Sequence, residues 1–434
     1  MNGPWRTVAI AVVVAACVTR VYPMHAQPSS VVIRARAMVD VDRGRLIDDA
    51  AVVVEGARIV AAGPSADVKI PDGAVVIALP STTLLPGLID AHVHLTLAGQ
   101  PPANARATLD AGFTTVQDLG AAAYGNVRLR DAVAAGRVAG PRVIASGPWL
   151  GVTGGTCDFN GIGVRGAEAF RKRVRDDVEQ GVDLIKVCVS GWLADAVDAP
   201  AKYEISDSEL GAAIEEAHGL GKRVAVHAIS EGGIGVAVRM GADLVAHAGF
   251  PSTATAAMMK ERGVFELPTL FSFASAKPEH LGAVRAHLRD GVAAGLPVAF
   301  GTDAGVIPHG ENAREFEQLA AIGLDSVAAL RSATVSAARA VGLAGDIGLL
   351  SPGRFADVIG VEGDPLKDLR TLQRVTFVMK QGVVFKGGPA LKNGVIAPPD
   401  TMKNEPRAAP RPGTCAISAC EPRQGRKAAA LSSH

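Results

Sequence analysis

Two rhythms of apolar residues divide the chain. Over 31–77, short β-branched runs (VVIRARAMVDV, AAVVVEGARIVAAG, AVVIALP) alternate with turn residues and show no helical period, which predicts strands and hairpins. The same grammar returns over 347–386, where DVIGV, VTFVMK and GVVFK are separated by Pro352-Gly353, Gly363-Asp364-Pro365 and Gln381-Gly382. Two such segments flanking one long domain are predicted to complete a single β-sandwich, 31–80 with 346–392. Between them, over 81–345, strand-like runs at 84–89, 114–118, 142–145, 184–189, 223–227, 244–247, 264–268 and 298–302 alternate with helical stretches. Eight βα units over roughly 260 residues match a (β/α)8 TIM-type barrel, so the chain is read as α/β; an open doubly wound sheet is the competing arrangement. Polar residues fall at the C-terminal ends of the predicted strands, where barrel enzymes place their chemistry, and this favours the barrel.

The ends of the chain break both rhythms. A short basic stretch ending at Arg6, an apolar run from Thr7 to Val18 and Met24-His25-Ala26 before Gln27 predict a signal peptide over 1–26, because the run is too short to span a bilayer. Val14-Ala15-Ala16-Cys17 resembles a lipobox, which makes a lipid anchor at Cys17 the alternative; both imply a secreted or periplasmic protein. Residues 401–434 lack periodicity and predict a disordered tail. Five cysteines are too few for a disulfide scaffold; Cys157 and Cys188 fall within the barrel segment, and Cys188 is expected to pack in the core. With 48% hydrophobic residues, 20% charged residues and a formal net charge of +1, no basic surface calls for nucleic acid. A small-molecule substrate is the expected partner, with a homo-oligomer as the expected assembly.

The stretch LLPGLIDAHVHL carries the first chemistry. Side chains at i and i+2 of a strand share a face, so His92 and His94 can close on one metal ion, although two packed histidines would leave the same trace. Lys186 ends the apolar run DLIKVC, and His227 and His247 end RVAVH and DLVAH on successive predicted strands. One terminal histidine reads as core packing; two, after a His-x-His strand, read as ligands. Asp303 in FGTDAG ends the last strand among small residues, with helix capping as its plainer role.

The dodecapeptide strongly resembles the first barrel strand of the metal-dependent amidohydrolase superfamily. GTDAG followed by Pro308-His309-Gly310, Asn312 and Arg314-Glu315 resembles the branch of Xaa-Pro dipeptidases, related carboxypeptidases and imidazolonepropionase-like proteins. So do Thr153-Gly154-Gly155, the stretch from Ala217-His218 to His227-Ala228, Leu267-Pro268-Thr269-Leu270, and GLLSPGRFADV at 348–358. The likeness runs from Val31 to about Val384. It implies two divalent metal ions, zinc expected, held by His92, His94, Lys186, His227, His247 and Asp303. It implies further that Lys186 carries a carbamate, formed by adding carbon dioxide to its neutral amine, and that Asp303 is also the general base. Three departures are visible: Thr156 stands where the branch has histidine, Trp192 where it has the second glycine of SGG, and Ala246-His247-Ala248 where it reads EHG.

The resemblance and the export signal together imply an exported hydrolase cleaving the amide bond of a small N-acyl amino acid or dipeptide, with metal-activated water as nucleophile. Cyclic amides, lactones or mycotoxin-type amides are the neighbouring alternative. A non-catalytic metal or ligand binder is the alternative of a different class. Tyr203, His309 and Arg314 are the candidate substrate contacts, Arg314 by a bidentate pair with a carboxylate.

Overall fold

The structure is a computed structural model, and it describes residues 30–388, apart from the side chain of Asn160. The signal segment 1–26, the lipid site at Cys17, the tail 401–434 and the last residues of the second β segment lie outside the described residues. Among the described residues no helix is long and apolar enough to cross a membrane.

The first β segment forms β1 (Val31–Asp40), β2 (Arg45–Glu55), β3 (Arg58–Pro64) and β4 (Val75–Pro86). In β1 the half-buried alternation expected of a sheet with one covered face gives way to full burial from Ala37 to Val39. The strands run on through β5 (Leu88–Val93), β6 (Phe113–Asp118), β7 (Arg142–Ala145), β8 (Leu184–Cys188), β9 (Arg223–His227), β10 (Leu244–Ala246) and β11 (Phe265–Leu267). The second β segment supplies β12 (Val358–Glu362), β13 (Val375–Lys380) and β14 (Val383–Lys386). The two distant β segments do join, but as one hydrogen-bonded seven-stranded sheet in the order β14-β13-β12-β4-β1-β2-β3. The continuity comes from β4, which is long enough to pair with β1 on one side and β12 on the other.

The intervening strands form two parallel arcs, β5-β6-β7 and β8-β9-β10-β11, with helices between successive strands. Bonds from Leu150 N to Lys186 O (2.9 Å) and from Cys188 N to Leu150 O (2.8 Å) link the arcs at one edge. At the other edge, residues 298–304 touch both: Ala299 N donates to Glu266 O at 2.9 Å and Ala91 N to Phe300 O at 2.8 Å. The expected eighth strand therefore contributes single bridges, not a ladder. Phe300 N turns to Ser332 O, and Asp303 adopts a φ of 61°, so extended pairing stops there.

The expected first barrel strand, 84–89, also divides: Leu84 to Pro86 belong to the seven-stranded sheet, and β5 begins at Leu88. Gly87 is the joint. A Cβ there would lie 2.1 Å from Thr114 Oγ1, so only glycine lets the chain pass from one sheet to the other at this distance. Along the arcs, alternate residues separate into two apolar clusters. Ile185, Val187, Val224, Val226 and Val245 pack with the helices, whereas Leu184, Ala225, Leu244, Ala246, Leu267 and Ala299 form the smaller one. By strand parity Lys186 and Cys188 share the face of Leu184, away from the helices.

Candidate metal centre

His92, His94, His227, His247 and Asp303 lie at or just beyond the C-terminal ends of their strands or segments and Lys186 in the middle of β8, all buried. His92 Nε2, His94 Nε2 and a carboxylate oxygen of Asp303 all lie within 4.8 Å of one another. Asp303 Oδ1 is 3.1 Å from His94 Nε2 and 3.4 Å from His92 Nε2. The ring centroids of His92 and His247 are 4.6 Å apart and those of His247 and His227 are 5.0 Å apart, which brings the remaining histidines into the same space. Lys186 is close enough for its charge to act on His92, His227, His247 and Asp303.

The surroundings orient these rings. His94 Nδ1 lies 3.1 Å from Gly120 O, so Nδ1 carries the proton and Nε2 is turned to the cluster. His247 Nδ1 meets Thr269 Oγ1 at 2.7 Å, and His227 Nε2 meets Gly191 O at 3.3 Å. Burial drives the rings of His92 and His247 well below the usual imidazole range, and that of His227 down to about 4, with the Lys186 charge adding to the effect. They are neutral, as ligands must be. Burial also opposes charge on His94 and on Asp303, but the bond between them overcomes it, raising the His94 pKa and lowering that of Asp303.

Lys186 is the exceptional group. It is 2% exposed, and its Nζ has no hydrogen-bond partner. Burial pushes its amine down to about 7, against the opposing charges of Asp303 and Glu266. A buried, partnerless amine among neutral imidazoles is costly unless something binds it. His92 Nδ1 is also buried without a partner. Nitrogen and oxygen donors of this kind suit zinc and its neighbours, so the residues fit a metal centre.

Beneath the cluster, Asp90 is fully buried and accepts from His92 N, Thr302 N, Thr302 Oγ1 and Asn312 Nδ2 at 2.6–3.1 Å. It ties β5 to the segment that carries Asp303. Asp118 does the same for Leu95 N and Asn126 Nδ2 at 2.8 and 2.9 Å. Glu266, fully buried, accepts from Ala248 N at 3.0 Å while its Oε2 has no partner. None of the supporting roles of Thr302, Asn312, Asp118, Thr269 and Glu266 was read from the sequence. A signal existed for Glu266, a lone carboxylate inside the apolar run VFELP.

The family model described as "Amidohydrolase family" matches residues 83–385. The chain belongs to that family. Amidohydrolases are metal-dependent, and this one is a hydrolase acting on amide C–N bonds. It is 29% identical to an ochratoxinase of Aspergillus niger over 368 residues, 70% of this chain and 76% of that protein. It is 28% identical to an imidazolonepropionase of Sphingopyxis alaskensis over 358 residues, 74% and 88% of the two chains. Among solved structures, a Xaa-Pro dipeptidase with bound methionine in the active site superposes with a TM-score of 0.78 at 27% identity, covering 83% of this amidohydrolase and 100% of the dipeptidase.

Each of the predicted substrate contacts has a partner within the protein. The Tyr203 hydroxyl donates to Asp207 Oδ1 at 2.9 Å. Arg314 is bound to Glu311 at 2.9 Å and lies over the Phe271 ring at 4.3 Å. His309 is wedged between Thr108 Oγ1 and the backbone oxygen of His94, at 3.2 and 3.3 Å, and burial pushes its pKa down to about 4. Thr156 does not point a ring into the site: its N and Oγ1 both donate to Glu204, at 2.8 and 2.7 Å. Cys157 and Cys188, for which no pairing was expected, form a disulfide.

Proposed function

We propose that this amidohydrolase is an exported binuclear enzyme that hydrolyses the amide bond of a small N-acyl amino acid or dipeptide, in a closed (β/α)8 barrel. The observation that carries the proposal is Lys186. A lysine with a depressed pKa and no partner, surrounded by three neutral histidines and Asp303, has the chemistry needed to add carbon dioxide. The nitrogen bonds to the carbon, a proton leaves, and a two-oxygen anion results. His92, His94 and Asp303 would hold one ion; His227, His247 and the Lys186 carbamate would hold the second. Such ions, when bound, polarise a carbonyl oxygen and bring the pKa of water to about 7.

The chain's own residues carry the proton. Asp303, kept ionised by its bond to His94, is placed to take a proton from the attacking water and deliver it to the leaving nitrogen. Its backbone N–H is fixed to His92 O at 2.8 Å, so the carboxylate and the His-x-His pair are set relative to each other before substrate arrives. The likeness to an ochratoxinase favours a second reading, a xenobiotic amide of the mycotoxin type in place of a dipeptide. Metal analysis of the purified protein is expected to find about two ions per chain. Zinc-loaded protein screened against dipeptides, N-acyl amino acids and mycotoxin amides is expected to cleave at least one of these groups. One ion or none, with no cleavage in any group, refutes the proposal.

A further inference from the structure

Aromatic residues make up only 4% of this chain, yet both tryptophans of the described residues adjoin the histidine cluster. The rings form a continuous row with centroid spacings of 5.6 Å from Trp149 to His94, 5.2 Å to His92, 4.6 Å to His247, 5.0 Å to His227 and 5.4 Å to Trp192. Both tryptophans of the described residues therefore cap the two ends of a row of ligand histidines. Phe159 packs edge-on against Trp149 at 4.9 Å and extends that end outward. Among the described residues the exposed phenylalanine and tryptophan side chains are Phe159, at 37%, and Trp192, at 50%. Single exposed apolar residues need no explanation, but the exposed aromatics here are confined to the two ends of one polar site. A ring left in water beside a reaction centre is a contact for substrate.

The Phe159 end is also held in place. Phe159 sits in the loop after β7, and Cys157 in that loop is bonded to Cys188, two residues beyond Lys186 on the same face of β8. Glu204 accepts two bonds from Thr156, and Asp158 accepts from Gly154 N and Gly163 N at 2.7 and 2.6 Å. A loop fixed by a covalent link and four hydrogen bonds loses little freedom on binding, so the contact it offers is not discounted by ordering.

We infer that the Trp149–Phe159 wall, clamped by the Cys157–Cys188 disulfide, is a subsite for an aromatic ring, and that the preferred substrates are amides carrying such a ring beside the scissile bond. The inference rests on the amide-hydrolysis reading above and adds the substrate class to it. Two pairs of probes cover the two sides of the bond: N-benzoylglycine against N-acetylglycine, and N-acetylphenylalanine against N-acetylalanine. In at least one pair, kcat/KM is expected to favour the aromatic member by about tenfold or more, and Phe159→Ala to reduce that ratio by about three- to tenfold. Tris(2-carboxyethyl)phosphine should lower the ratio in the same direction. In that step the phosphine is oxidised, taking its oxygen from water, and the disulfide gains two electrons and two protons to become two thiols. Cys157→Ala/Cys188→Ala should match the reduced protein.

Ratios near one in both pairs, or a ratio untouched by Phe159→Ala, overturn the subsite. Free Cys157 and Cys188 thiols in aerobically purified protein overturn the clamp. If no amide is cleaved, the functional proposal falls by itself, and calorimetric titration with the same four compounds decides the subsite: tighter binding of the aromatic members, lost in Phe159→Ala, upholds it, and equal binding overturns it.

Discussion

Asp90→Ala is the sharpest test of how the site is held. Asp90 is fully buried and receives four donors, the backbone N–H groups of His92 and Thr302, the Thr302 hydroxyl and the Asn312 amide. Each buried donor left without an acceptor costs about 1–3 kcal/mol. Against this, the carboxyl itself is uncomfortable: burial, opposed by the Thr302 and Asn312 bonds, lifts its pKa from 3.8 to about 7. At about 1.36 kcal/mol per unit, keeping it ionised costs on the order of 4 kcal/mol, which alanine avoids. The four donors outweigh that relief, and a net loss of roughly 4 kcal/mol is expected. In urea unfolding followed by far-ultraviolet circular dichroism, that shifts the midpoint down by at least about 1 M, given a slope near 3 kcal/mol/M. Because the lost bonds also fix His92 N and the Thr302 segment next to Asp303, metal content measured on the folded variant should fall as well. Asp90→Asn keeps the shape and one acceptor oxygen, so its loss should be smaller. A midpoint for Asp90→Ala within about 0.3 M of the parent would refute the reasoning, since the penalty for orphaned donors would then be absent.

The same geometry sets three further outcomes. Asp303→Asn should keep most of its metal, by elemental analysis, but lose at least about a hundredfold in kcat, because the proton carrier is gone; near-normal turnover removes Asp303 from that role. Glu315 is buried, accepts from Leu270 N and Phe271 N, and is pushed by burial from 4.5 to about 8. Its protonated form is the one the fold favours, so the stability it contributes is whole below about pH 4.5 and is lost as pH rises towards 8. The stability difference between the parent and Glu315→Gln should therefore shrink by a few kcal/mol between about pH 5 and 8.5 in paired urea titrations, and a flat difference would contradict it. Gly87→Ala should lower the unfolding temperature by several degrees, because the new Cβ meets Thr114 at 2.1 Å; Gly87→Ala with Thr114→Ala should recover much of the loss.

The candidate cluster was legible in the sequence because its members are polar residues within or at the ends of apolar runs. His92 and His94 are two residues apart at the end of β5, Lys186 lies in the middle of the buried strand β8, His227 ends β9 and His247 follows β10. The local partners of two candidate substrate contacts were in the sequence as well. Tyr203 has Asp207 four residues on, and Arg314 has Glu311 three residues back; each side chain found its local partner. Local pairs of this kind compete with a long-range role. The disulfide could not be read, since the separation of 31 between Cys157 and Cys188 carries no spacing that reports their approach. Neither could the single seven-stranded sheet, whose register depends on how far β4 extends before Gly87.

The conformation of the ligand-bearing backbone was equally out of reach, and it shows how the site is made. His247, Thr269 and Asp303 all have left-handed φ values, of 63°, 48° and 61°, although none is glycine. Such residues cost of order 1–3 kcal/mol each and persist only where the surroundings over-determine them. Here the determinants are visible. His247 N is held by Leu267 O at 3.0 Å, Thr269 N by Gly301 O at 3.1 Å and Asp303 N by His92 O at 2.8 Å, each bond running to the next strand or to the segment beside it. At each of the three the chain leaves its extended run, and the abrupt turn keeps the side chain at the strand end instead of letting the alternation carry it away. His247 and Asp303 are thereby delivered to the cluster, and Thr269 to the Nδ1 of His247. The Asp90 network matters for the same reason: its bond to Thr302 N holds the residue just before the turn at Asp303, so weakening it should let the left-handed residue relax and the carboxylate drift from the imidazoles it faces.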